Sequence, residues 1–198
     1  MRRACCALIL ATAALYSRSA RAEGGTFLEV TGGIGLSSPD TMIPGGGQGV
    51  YARADLLPWR DSWFTPKAYS GFLITVPSGD CGVGVSPCDV SAQILFLGGA
   101  ARLMLPIPYV GPFVEVGLGL SIGRMSTRSG ADVNLQWSGV TYHVPFALGL
   151  AFGKQHEYEL SFQYMDHPDQ HQVTGGIAVG FGFQLDTPRS EPAEPIEP

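Results

Sequence analysis

The stretch that decides the fold is Gly139-Val-Thr-Tyr-His-Val-Pro-Phe-Ala-Leu-Gly-Leu-Ala-Phe152. Every second residue from Val140 onward is large and apolar, whereas the residues between them are small or polar. Successive side chains of a β-strand point to opposite faces, so this period of two predicts a strand with one apolar face. The alternation returns over residues 158–164 and 173–185. Segments of about ten residues suit tilted strands that cross a bilayer, and three of them follow one another here.

Five earlier segments alternate in the same way, although the fourth does so less clearly. They are residues 26–36, 49–57, 67–76, 90–105 and 111–123. Together with the last three segments they make eight strands, an even number that can close into a barrel without a free edge. We therefore predict an all-β fold, an eight-stranded antiparallel up-and-down transmembrane β-barrel.

The predicted connections differ in length on the two sides of this barrel. Those after the odd-numbered strands are mostly long and polar, at residues 37–48, 77–89, 124–136 and 166–172. Those after the even-numbered strands are shorter, at residues 58–65, 106–110 and 153–156. This asymmetry is typical of outer-membrane barrels, whose short turns face the periplasm. It predicts that both ends of the mature chain lie on the periplasmic side.

The fourth segment contains one polar residue on its apolar face. If Leu95 and Leu97 point to lipid, Arg102 points inward but Gln93 points outward with the leucines. Two arrangements would reconcile them. Either a β-bulge lies near residues 98–99, or the membrane-spanning part begins after Gln93.

The two ends of the chain have compositions that differ from the barrel. A basic start, an apolar run and the small-residue ending at Ala22 predict a cleaved secretory signal peptide over residues 1–22. The barrel then occupies residues 23–185, and residues 186–198, rich in Pro and Glu, are expected to be disordered. Cleavage removes four Arg and no acid, so the formal charge changes from −5 to −5 − 4 = −9. That charge argues against nucleic acid as a partner.

Removal of the signal leaves two cysteines, Cys81 and Cys88, close together in a connection rich in Gly. In an exported chain such a pair is expected to form a disulfide that closes the loop. A metal site would need two further ligands, and Asp80 and Asp89 are the neighbouring candidates. We expect neither a metal nor a cofactor.

The charged residues of the strands share one face with Gly, Ala, Ser and Thr. They are Glu29, Arg53, Asp55, Lys67, Arg102, Glu115, His143, Glu157 and Glu159. Small residues mixed with charges suit a narrow barrel interior, where each ion needs a counter-ion. We predict that this set forms an ionic network in the lumen. For Glu157 and Glu159, which lie near a short turn, the other interpretation is that they are hydrated or paired with Lys154. The alternative is a soluble lipocalin-like barrel, in which the apolar face would point inward.

The export signal, the eight alternating segments and the polar interior resemble the small outer-membrane barrels of the OmpA and OmpX type. The resemblance covers about residues 26–185 and is one of pattern, without a specific motif. One departure is that the last strand continues past Phe183 to Gln184 and Leu185, whereas these proteins usually end on an aromatic residue. The resemblance implies a monomeric outer-membrane protein in contact with lipid and lipopolysaccharide, with a structural or surface-interaction role through its external loops.

Two other functions remain open at this point. Some eight-stranded barrels are lipid hydrolases, and the rim of the last hairpin offers Asp166, His167, Asp169 and His171, with Ser138 on the neighbouring strand. A run rich in Asp and His is more simply a polar loop, so we predict no catalytic residues and no enzyme activity. The other alternative is a narrow channel for small solutes, although eight strands leave an interior that side chains can fill.

Overall fold

A computed structural model describes residues 24–39, 46–60, 62–78, 88–105, 107–129 and 133–185. In this part of the chain eight strands form one closed antiparallel barrel in sequence order, with β1 paired to β8. They are β1 (Gly24–Pro39), β2 (Gly47–Trp59), β3 (Phe64–Pro77), β4 (Cys88–Met104), β5 (Val110–Ser129), β6 (Val133–Phe152), β7 (Tyr158–His167) and β8 (Gln172–Gln184). The predicted fold is confirmed. We call the end where β1 begins and β8 finishes the terminal end, and the opposite one the loop end.

The large apolar side chains lie on the outside of the barrel, and the charged ones are buried within it. Val140 is 61% exposed, Leu118 69% and Val179 64%, whereas Arg102 is 4% exposed and Glu29 1%. This distribution is the opposite of a soluble protein, in which apolar residues fill the core. The lipocalin-like alternative is therefore wrong. In the described residues no helix has the length and the apolar character needed to cross a membrane.

The predicted loop 124–136 is largely a pair of strands. β5 and β6 stay in register from Arg124↔Ser138 to Ser129↔Val133, so residues 130–132 alone separate them. The alternation continues over the described side chains of 124–127 and 136–138, but there the outward positions are occupied by Arg124, Ser126, Gln136 and Ser138 instead of apolar residues. A strand that extends beyond hydrocarbon needs no apolar outer face, and for this reason the sequence pattern suggested a loop.

The ladders around β4 resolve the position of Gln93. β4 pairs with β5 without interruption from Cys88↔Ser129 to Met104↔Phe113, so no bulge lies near residues 98–99. Gln93 is exposed on the outward face, opposite Arg124 of β5. The second arrangement is the one observed, with the apolar part of β4 starting after Gln93.

Side chains of two kinds fill the barrel. The terminal half contains the charged residues, which are described below. The loop half contains a buried apolar cluster formed by Tyr51, Tyr69, Leu73, Ala92, Ile94, Phe96, Met125, Met165 and Ala178.

The predicted signal peptide, the tail over 186–198 and Cys81 lie outside the described residues, as does the side chain of Cys88. The disulfide stays a prediction.

Candidate functional site in the lumen and at the loop end

Arg102 of β4 joins three carboxylates inside the barrel. Its Nε donates to Glu115 Oε1 at 2.6 Å. Its Nη2 donates to Glu29 Oε2 at 3.0 Å and to Glu159 Oε2 at 2.5 Å. The guanidinium also lies over the ring of Phe113, 4.1 Å from the ring centre. Because these carboxylates come from β1, β5 and β7, Arg102 links strands on different sides of the barrel.

Arg53 of β2 makes a second group of contacts. Its Nη2 lies 2.5 Å from Asp55 Oδ1 and 3.1 Å from Glu115 Oε2. Its Nη1 donates to Gln163 Oε1 at 2.9 Å, and its guanidinium lies 4.6 Å from the ring centre of Tyr69. Glu115 therefore accepts from both Arg53 and Arg102, and the two groups form one cluster.

Lys67 of β3 lies between the two arginines. Its Nζ contacts Glu115 Oε1 and lies 3.3 Å from Asp55 Oδ1 and 3.8 Å from Glu29 Oε2. The cluster has room for these long side chains because β6 contributes small inward residues. Ala147, for example, pairs with Glu115 on one side.

Arg60 is a member of the cluster that the sequence pattern missed. It follows β2, yet its side chain is 6% exposed, and its Nη2 lies 3.7 Å from Glu29 Oε1. Its Nη1 donates to the carbonyl of Gly182 at 3.1 Å, and its guanidinium lies 5.3 Å from the ring centre of Phe27. A Cβ at Gly182 would overlap this guanidinium, so the glycine provides the space. Because Arg60 lies beyond the end of the strand, alternation could not assign it to the lumen.

With Arg60 included, the charges in the cluster balance. Its acids are Glu29, Asp55, Glu115 and Glu159, and its bases are Arg53, Arg60, Lys67 and Arg102. Burial of an ion costs free energy unless an opposite charge and hydrogen bonds compensate it. The four acids and four bases described in the lumen have formal charges that sum to zero, so each buried ion has an opposite charge nearby.

Glu157 does not lie among the buried charges, contrary to the prediction. It precedes the first residue of β7, and its carboxylate accepts a hydrogen bond from the N–H of Gln155 at 2.9 Å. Hydrogen bonds from the backbone N–H groups of Glu157 and Gln155 lower the pKa of this partly exposed carboxyl group. The parity of the following strand does not apply to a residue that lies in the turn.

His143 lies in the lumen, where its contacts are hydrogen bonds to neutral groups. Its Nε2 lies 2.8 Å from Tyr69 Oη, and its Nδ1 lies 2.9 Å from Ser121 Oγ. Ser121 Oγ also lies 3.0 Å from Nε2 of His167. A Cβ at Gly119 would come within 2.6 Å of the His143 ring, so this glycine makes space for it. These four side chains form a hydrogen-bonded chain that includes Tyr69 of the apolar cluster.

The residues proposed for a hydrolase do not come together. His167 is fully buried and points inward, whereas Ser138 is exposed on the outward face. Asp166 pairs with Val144 of β6, six residues from Ser138, which is about 20 Å along a strand. Among the described residues no group of three or more His, Cys, Asp or Glu is placed so that it could hold a metal ion.

The outer surface changes from apolar to polar at one row of residues. Gln93, Arg124 and Ser138 are direct neighbours across β4, β5 and β6, and all three are exposed. One row towards the terminal end, the outward positions are Leu95, Ile122 and Val140. A change of this kind in three adjacent strands marks where hydrocarbon would end. The three strands continue beyond this row as a wall, which we call the β4–β6 wall.

Comparisons with known proteins support the fold. No protein-family model and no curated protein matches the chain. Among solved structures, the chain is similar to the Neisserial surface protein A, NspA, with 13% identity and a TM-score of 0.54 over 81% of this chain and 97% of NspA. The chain shares the NspA fold.

Two further structures show weaker similarity. The attachment invasion locus protein Ail of Yersinia pestis has 14% identity and a TM-score of 0.45, over 81% of this chain and 99% of Ail. The outer membrane enzyme PagL has 13% identity and a TM-score of 0.44, over 79% of this chain and 99% of PagL. The predicted resemblance to small eight-stranded outer-membrane barrels is thus confirmed at the level of the fold.

Proposed function

We propose that this chain is an integral outer-membrane β-barrel with a structural or surface-interaction role at its loop end. The observation that carries the proposal is the row formed by Gln93, Arg124 and Ser138, which separates an apolar belt from the polar β4–β6 wall. An apolar belt matches the hydrocarbon core, and a wall beyond it reaches the aqueous side. Both chain ends then lie at the periplasmic side, and the wall and the loops are external.

The ionic cluster supports a structural role for the barrel interior. Arg102, Arg53 and Lys67 reach carboxylates on several strands, so their side chains extend across the lumen. In this proposal the cluster closes the terminal half to solutes and holds the strands together from inside. We expect no single-channel conductance from the folded protein in planar bilayers. Discrete conductance steps would contradict the proposal that the ionic cluster closes the terminal half.

The proposed role is not enzymatic. Ser121 is the hydroxyl with the most suggestive neighbours, since two imidazoles contact it, but it is fully buried. A nucleophile needs access to substrate, and a lipid head group cannot enter a filled lumen. Labelling of the folded protein with a serine-reactive fluorophosphonate is therefore expected to fail, and labelling that Ser121→Ala abolishes would contradict this view.

Cell fractionation with heat-modifiability gels tests membrane insertion. We expect the protein in the outer-membrane fraction, with an unboiled band that migrates differently from the boiled one.

A matched pair of variants tests the orientation of the outer face. Leu118→Arg places a charge in the apolar belt and should reduce assembly, whereas Ser138→Arg lies at the polar row and should not. A soluble protein without a mobility shift, or equal assembly of both variants, would contradict the proposal.

A further inference from the structure

A small cavity opens at the loop end, between the β4–β6 wall and the turn that joins β7 to β8. Its volume is about 160 Å³, and its main lining residues are Met125, Trp137, Asp169, Gln170, His171 and Gln172. We call it the mouth pocket. Met125 and Trp137 are direct partners in the β5–β6 ladder, and both contribute to the packed interior below. The pocket therefore has a fixed apolar wall on one side and a polar turn on the other.

Gln172 is a polar group in this pocket whose hydrogen bonding is incomplete. Its side chain is 3% exposed, and its Nε2 donates to Thr127 Oγ1. Its Oε1 is buried and has no hydrogen-bond partner among the described residues. A buried carbonyl oxygen without a donor costs free energy, which a bound molecule with a hydroxyl group would recover. The amide thus points to a ligand that donates a hydrogen bond.

The remaining lining restricts the chemistry of that ligand. No lysine or arginine is among the described residues that line the pocket, while Asp169 contributes a carboxylate. An anion would find no lysine or arginine among these described residues, and the Asp169 carboxylate would repel it. A wholly apolar molecule would leave Gln172 Oε1 without a donor. An indole face next to an amide, a carboxylate and an imidazole suits a neutral ligand with one apolar face and several hydroxyl groups.

We propose that the mouth pocket binds one neutral sugar residue of a glycan. In this arrangement the indole of Trp137 packs against the C–H face of the sugar ring, and Gln172 Oε1 accepts a hydrogen bond from a ring hydroxyl. The inference rests on the proposed function, because the loop end must be external for a glycan to reach it. It adds a ligand class to that surface role.

The local backbone fixes the position of these groups at the loop end. Gly139, the next inward position of β6, has no side chain, and a Cβ there would lie 4.0 Å from the Trp137 ring. His171 adopts the left-handed conformation, with φ of 48°, and so turns the chain from the short 3-10 helix Pro168–Gln170 into β8. This turn holds Asp169 and Gln170 beside the pocket that Gln172 lines from within.

The test uses the full chain in lipid nanodiscs and saturation-transfer NMR. The probes are the methyl glycosides of glucose, galactose, mannose and N-acetylglucosamine, with a sulfated disaccharide as the anionic comparison. We expect saturable transfer to at least one neutral sugar. Trp137→Ala and Gln172→Met should each weaken that binding about tenfold, since each removes a central contact. Trp63→Ala, an exposed tryptophan at the terminal end, is the matched control and should leave binding unchanged.

The outcomes separate this inference from the proposed function. A heat-modifiability gel shows first that each variant is folded. Three results would contradict sugar binding in the mouth pocket: no transfer to any neutral sugar, binding of the sulfated sugar alone, or binding that Trp137→Ala leaves intact. None of them would contradict the proposal of an outer-membrane barrel. A protein that fractionates away from the outer membrane would overturn the surface role itself, whatever the sugar result.

Discussion

The two halves of the lumen satisfy their polar groups to different degrees. In the terminal half, each of the four carboxylates of the ionic cluster meets at least one cation within 4 Å. In the loop half, Gln172 Oε1 and Thr174 Oγ1 are buried and have no partner within the described residues. The four carboxylates of the terminal half therefore already have opposite charges beside them. The loop half retains unused hydrogen-bonding capacity, the property expected of a surface that has still to meet a ligand.

The largest effect is expected from Arg102→Met, which removes the cation shared by three buried carboxylates. Glu29, Glu115 and Glu159 would lose a partner each, and breaking a buried ion pair costs about 3–5 kcal/mol. Unfolding midpoints on heat-modifiability gels in detergent measure the loss. Arg124→Met is the control, because Arg124 is exposed and its replacement should change stability by less than about 0.5 kcal/mol. Equal midpoints for Arg102→Met and the wild type would show that the cluster does not stabilise the barrel.

A substitution in the loop half should raise the free energy of unfolding, whereas Arg102→Met lowers it. Thr174→Val keeps the shape of the side chain and removes a buried hydroxyl that lacks a partner, so we expect a gain of about 1 kcal/mol. Thr31→Val is the matched change in the terminal half, where the hydroxyl donates to the carbonyl of Arg53 at 3.4 Å. The free energy of unfolding of Thr31→Val should be lower than that of the wild type by about 0.5 kcal/mol. Urea titration of both in the same detergent compares them, and losses of equal size would remove the distinction between the halves.

Alternation alone placed most of the barrel correctly, because a period of two assigns each residue of a strand to one face. The same rule predicts a position in the lumen for the charged residues within the strands, since a charge on the face opposite to Val, Leu and Phe must point inward. The same rule failed just outside the strands. Arg60 lies one residue beyond β2 and turns inward, whereas Glu157 precedes β7 and stays in the turn.

What the sequence could not provide is the register between strands. The contact of Arg102 with Glu159 joins residues 57 positions apart, and it depends on how all eight ladders are staggered. The mouth pocket has the same origin. Trp137 lies between the predicted loop 124–136 and the predicted strand that begins at residue 139, because polar outward residues beyond the hydrocarbon have no apolar alternation to reveal a strand.

Loss of the hydrogen bond between Tyr69 and His143 should give a smaller effect. Tyr69→Phe removes the hydroxyl that lies 2.8 Å from Nε2 of His143, and the ring keeps its packing against Phe96. One neutral hydrogen bond contributes about 1 kcal/mol, so the loss should fall between those of Arg102→Met and the surface control. Thermal unfolding measures it. His143→Phe in the same background then tests whether the chain acts as a unit, because the second change should cost less in Tyr69→Phe than in the wild type.

The smallest effect belongs to Glu157, which the sequence pattern placed in the lumen and the structure places in the turn. Hydrogen bonds from backbone N–H groups lower the pKa of its carboxyl group below the ordinary value of 4.5. A lowered pKa in the folded state adds stability above the unfolded value, and that stability is lost as the pH falls through the folded pKa. Because solvent reaches this partly exposed carboxyl group, screening keeps the contribution to about a few tenths of a kcal/mol, roughly that of a surface ion pair. Glu157→Gln should therefore be slightly less stable than the wild type at pH 7, and the difference should disappear in acid. A loss of stability as large as that of Arg102→Met would indicate that Glu157 belongs to the buried ionic cluster.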